Sequence, residues 1–86
     1  MQLNEAMRIR LKNLMKEKNF NSSYEVTNNA GLNSSLLTDF LTNRTLYPRI
    51  DTLYLICLGM GVSLEEFFSD SLFNIENIQV EKEGSK

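Results

Sequence analysis

Residues 31–44, GLNSSLLTDFLTNR, gather short polar side chains at helical spacing. Ser34, Ser35 and Thr38 each carry a hydroxyl that donates one hydrogen bond and accepts others. Asp39 adds an acceptor-only carboxylate, Asn43 an amide, and Arg44 a planar guanidinium that suits phosphate or carboxylate. The chemistry of such a set is recognition, reversible hydrogen bonding to another polar surface. Leu37, Phe40 and Leu41 fall on the other side of the same helical repeat, and Leu36 sits between the two sides. One face packs and the other displays.

Catalytic chemistry finds little support. The chain has no histidine and one cysteine, which leaves neither a histidine base, nor an intrachain disulfide, nor a zinc ligand set. Cys57 falls on the apolar side of its segment, where burial makes a thiol inert. Glu65 and Glu66 follow a helix cap and suit a helix N-terminus better than an acid/base pair. Asp39 and Asp51 flank an extended link with no third group, and no phosphate-cradling glycine loop is present. We therefore expect no enzyme, no cofactor and no metal.

Eighty-six residues suffice for one small domain, and 42% apolar content supports a folded core. No run is apolar enough to span a membrane, and charges interrupt the start where a signal peptide would be apolar, so the expected location is cytoplasmic. The net charge of -2 is unevenly spread. Residues 1–18 set five cations against two carboxylates, residues 19–49 balance, and residues 50–68 carry three carboxylates and no cation. A polyanion would approach the N-terminal side.

These groups need elements to hold them. Leu3, Met7, Leu11 and Leu14 define a first amphipathic helix, ended at Asn19 by a left-handed residue and followed by Phe20 as an anchor. SSYE, residues 22–25, is a capping box opening a second helix, with Val26 and Ala30 on its inner face and Thr27 close to it. Gly31 ends that helix, Asn33 caps the next, and the short turn between them forces a large change of direction. The third helix spans about 34–42 and stops at Asn43. Pro48 keeps Tyr47 extended, and Asp51 is the expected cap of a fourth helix with Leu53, Ile56, Cys57 and Met60 inward and Gly61 at its end. Ser63 with Glu66 caps a fifth, with Leu64, Phe67 and Phe68 buried. The expected fold is all-α, a compact five-helix bundle over residues 1–69. Residues 70–86 form a C-terminal extension in which a strand, a hairpin and a short sixth helix all fit, and EKEGSK at its end is expected to be mobile.

The helix pair resembles a helix-turn-helix, and the match extends further. RIRLKNLMKEKNF, SSYEVTNNAGLNSSLLTDFL and YPRIDTLYLICLGMGVSLEEFF together resemble the Cro/C1-type, xenobiotic-response-element-like repressor family over residues 7–68. The closing piece is the most specific: a proline, an apolar residue before DTL, then GVSLEEFF. The resemblance implies the Cro/C1 repressor-like bundle and a sequence-specific regulator, usually a dimer on two-fold related half-sites, that binds a double-stranded DNA operator without a cofactor. It implies that the third helix enters the major groove, with Ser34, Ser35 and Thr38 at base edges or nearby phosphates and Asp39 at the border. Ser23 takes the place of a phosphate-touching glutamine, and Asn43 and Arg44 approach the backbone. Basic residues of the first helix reach flanking phosphates, although Arg8, Arg10, Lys12 and Lys16 by themselves read as a solvated face.

The chain departs from the family in three places. Thr27 stands where a small alanine is common, Asn43 where a glycine is common, and the glutamine and arginine base readers are missing. With only nine lysines and arginines and an acidic balance, the same fold also suits a protein-interaction module with weak DNA binding. The apolar extension suits either folding back on the domain or pairing across a two-fold axis as a dimerisation segment.

Overall fold

Four helix ends follow from four residues. In the computed structural model, which describes residues 1–79, Asn19, Gly31, Asn43 and Gly61 all have positive φ, between 65° and 74°. Each closes the helix before it with the paired bonds of a Schellman motif. Phe20 N–H donates to Met15 O at 2.7 Å, Leu32 N–H to Thr27 O at 2.9 Å, Arg44 N–H to Asp39 O at 2.8 Å and Val62 N–H to Cys57 O at 2.9 Å. The helices so delimited are α1 (Leu3–Glu17), α2 (Ser23–Ala30), α3 (Ser34–Leu41), α4 (Ile50–Met60) and α5 (Leu64–Phe68). Asparagine replaces glycine at two of these ends because its side chain tolerates the left-handed region better than other non-glycine residues do.

Side-chain caps set three of the starts. Ser22 Oγ accepts from Glu25 N–H, Asn33 Oδ1 from Ser35 N–H and Ser63 Oγ from Glu66 N–H. Glu25 reaches back to Asn21 N–H at 2.7 Å. The start of α4 corrects the expectation for Asp51. The helix begins at Ile50 with Arg49 at the cap position, and Asp51 lies in its first turn, accepting from its neighbour Thr52 N–H at 2.8 Å. Pro48 and the extended Arg49 bring the chain into helix early, so the carboxylate serves the helix dipole instead of capping.

The core collects Met7, Leu11 and Leu14 from α1, Val26 from α2, Leu37 and Phe40 from α3, Leu53, Ile56, Cys57 and Met60 from α4, and Phe67 from α5. Phe68, expected inside, lies at the rim, where its ring meets Phe67 and Phe73 edge-on at 4.8 and 4.9 Å. Helix α2 crosses α4 against Gly59: a Cβ there would overlap the Val26 carbonyl oxygen. Asn29 Nδ2 donates to Gly59 O at 3.1 Å across the same contact.

The extension resolves into two 3-10 turns, Ser71–Phe73 and Ile75–Asn77, and a single parallel bridge between Gln2 and Gln79. Phe73 packs on the core, and Leu3 N–H donates to Gln79 O at 3.2 Å, so this segment folds back over α1. Val80, and the EKEGSK end that is expected to be mobile, lie outside the described residues.

Candidate nucleic-acid interface

Three residues, Gly31, Leu32 and Asn33, separate α2 from α3. Gly31 supplies the left-handed turn, and Leu32 packs against the core and anchors it. Leu37 and Phe40, both fully buried, hold α3 by its inner face. Thr27 is also fully buried, and its hydroxyl donates to Ser23 O at 2.9 Å, with Tyr24 O at 3.3 Å also in reach. This internal bond removes the desolvation cost of a polar atom where a smaller apolar residue would otherwise fit.

The first helix supplies a brace that its charge pattern does not announce. Arg8 Nε donates to Phe40 O at 2.7 Å, its guanidinium lies 4.8 Å from the Phe40 ring centroid, and NH2 reaches Thr45 O at 3.4 Å. A cation thus satisfies the carbonyl end of α3, where the helix dipole is negative. Arg10 does the same for α5, donating to Phe67 O and Glu66 O at 2.8 Å each and pairing with Asp70 at 3.3 Å. These two arginines are not the solvated face that their spacing suggests: both are half-buried and donate to the protein's own carbonyls. The spacing that places charges between apolar residues on a helix cannot say whether a neighbouring helix end lies within reach.

Held from behind, α3 presents its other side. Ser35 and Thr38 are exposed and Ser34 is half-buried. Among the described residues their hydroxyls make no hydrogen bond within the protein. Asp39 is half-buried, Ser23 is half-buried at the start of α2, and Asn43 and Arg44 are exposed just past the end of α3. All seven residues, from the start of α2 to just past the end of α3, thus keep at least part of their surface accessible to solvent. Arg44, its side chain 77% exposed, lies 3.9 Å from Asp39, a loose surface pair of small energetic worth. Helix α3 contains no lysine or arginine.

Cys57 contributes nothing reactive here. Burial pushes its thiol from 9.0 up to about 11, only partly offset by the nearby Arg10 charge, so it stays protonated at neutral pH. Among the described residues no group of three or more His, Cys, Asp or Glu is placed to hold a metal ion, and no helix is long and apolar enough to cross a membrane.

A short helix laid against a second across a three-residue turn, capped and displayed in this way, is a helix-turn-helix. The model of the Cro/C1-type HTH DNA-binding domain matches residues 10–71, and the chain belongs to that family. No curated protein and no solved structure matches the chain significantly.

Arg8, Asn29 and Gly59 bear on this site without belonging to its motif. The glycine inside the apolar run of α4 was the one signal available, since a glycine in a helix interior usually marks close packing.

Proposed function

We propose that this protein is a sequence-specific double-stranded DNA-binding transcriptional regulator, a repressor, that reads the major groove with α3 as a homodimer. Family membership supports DNA binding. The observation that carries the finer reading is the display on α3: hydroxyls of Ser34, Ser35 and Thr38 without internal partners, on a helix fixed from behind by Leu37, Phe40 and Arg8. In this reading Ser34, Ser35 and Thr38 meet base edges, Asp39 accepts from a cytosine amino group, and Ser23, Asn43 and Arg44 meet phosphates. Repression follows by occlusion of the operator. No catalytic step is assigned.

A second copy is the partner that a two-fold operator requires. We assign it the outer face of α4, where Ile50, Tyr54 and Leu58 recur every four residues and are all exposed. The only charge on α4 is Asp51, whose carboxylate is already met by Arg49 at 3.0 Å, so two copies of this face meet without repulsion. Ile75, 92% exposed, is a further uncovered apolar side chain, on the C-terminal segment.

Fragment selection from genomic DNA with purified protein tests the reading. The expected product is an inverted repeat with half-sites about one helical turn apart. No preference for any fragment over random duplex at low and moderate salt would refute it. The α4 stripe also supports a second reading, a protein-interaction module with weak DNA binding. Tyr54→Glu separates the two. A homodimer that falls to monomer in sedimentation supports the first, and a protein that is monomeric before the substitution supports the second.

A further inference from the structure

We infer that Leu36 is a specificity-determining residue that seats the C5-methyl group of a pyrimidine, thymine in ordinary DNA, in the major groove. The inference rests on the reading that α3 enters that groove, and it names what the helix selects there.

Leu36 is 44% exposed, between exposed Ser35 and fully buried Leu37. Leu37 and Phe40 already fill the core beneath α3, so Leu36 is not needed to hold the helix. A leucine at the edge of a displayed face leaves apolar surface in water that a partner can cover. The major groove offers little to cover it. Its edges present ring nitrogens, carbonyl oxygens and amino groups, and the one apolar group among them is the C5-methyl of thymine. An isobutyl side chain set against any other edge strips water from a donor or acceptor and returns no hydrogen bond. The methyl turns that loss into a contact, so Leu36 selects by attraction at thymine and by penalty elsewhere. The neighbouring hydroxyls of Ser34 and Ser35 both donate and accept, which anchors the helix to many base edges but distinguishes few. Among the exposed side chains of α3, Leu36 is the one wholly apolar group, with no hydrogen bond to offer any other base edge.

The test uses the duplex that the full chain selects. Each thymine is replaced singly by deoxyuridine, which removes only the methyl group. Wild-type protein is expected to lose about fourfold in affinity at one position in each half-site, the worth of one buried methyl. Leu36→Ala is expected to bind the thymine and uracil duplexes alike. A third duplex with 5-methylcytosine opposite guanine at that position, compared with plain cytosine, is expected to recover affinity with wild type only, which shows that the methyl itself is read. Leu36 lies outside the buried core, so unchanged helicity of Leu36→Ala is the folding control. Indifference of the wild type to uracil at every position overturns the inference while leaving DNA binding intact. Discrimination that persists in Leu36→Ala overturns the assignment to this residue. A protein that selects no duplex overturns the DNA reading and this inference with it.

Discussion

Gly59→Ala sets two effects of opposite sign against each other. In a free helix the change stabilises, because alanine exceeds glycine in helix propensity by about 1 kcal/mol. In this fold the new methyl would overlap the Val26 carbonyl oxygen and stand 3.2 Å from its carbonyl carbon and 3.4 Å from the Ala30 methyl. The obstacle is main chain inside a helix, which cannot swing aside as a side-chain tip would. Relief therefore requires α2 and α4 to separate. Overpacking of this kind costs about 1–3 kcal/mol. Separation also stretches the Asn29 Nδ2 to Gly59 O bond, now 3.1 Å, with a further loss of about 1 kcal/mol. Set against the propensity gain, the net is a destabilisation of about 2 kcal/mol, which in a domain of this size lowers the melting temperature by about 8–16 °C. Thermal melts followed by far-UV circular dichroism measure it. Operator affinity, taken well below both melting points, is expected to fall as well, because α2 carries the turn that aims α3. A variant that melts at or above wild type would refute the reasoning, since the propensity term would then be acting alone and the two helices would not be in close contact.

Other substitutions probe other links. Arg8→Ala is expected to destabilise by about 1.5–3 kcal/mol, the worth of a charge-assisted bond to a helix end, and Arg8→Lys to recover only part, because an ammonium cannot span Phe40 O and Thr45 O while lying on the ring; chemical denaturation of the three proteins decides this. Arg44→Ala is expected to weaken binding to all duplexes by a similar factor and to reduce the slope of log affinity against log salt by about 0.9 per protomer. A loss confined to one operator sequence would contradict a phosphate role for Arg44. The Cys57 thiol, raised from 9.0 to about 11 in the fold, ionises first in the unfolded chain. Its stabilising contribution is therefore complete below about pH 9 and declines as pH rises toward 11. Wild type is expected to lose more stability than Cys57→Ala across that window, on the order of 1–3 kcal/mol, measured by urea denaturation at each pH.

Local sequence determined the helix ends because their chemistry is local. Asn19, Gly31, Asn43 and Gly61 are residues that tolerate positive φ, and Ser22, Asn33 and Ser63 are acceptors immediately ahead of the first helical residue. The spacing of Leu37 and Phe40 likewise determined which side of α3 is buried and left Ser35 and Thr38 outside. Tertiary structure decided whatever depends on a distant neighbour. The charge pattern of α1 is the same whether Arg8 and Arg10 face water, phosphate or protein, and only the packed bundle brings the carbonyls of Phe40 and Phe67 to them across 32 and 57 residues of sequence. Gly59 looks like a weak point of α4 until α2 is laid across it, and the C-terminal stretch, which satisfied strand and helix patterns alike, took its shape from the cover it finds on α1. Period and capping report on a few adjacent residues, whereas the partner of a long side chain is settled by which helix end the fold carries into its reach.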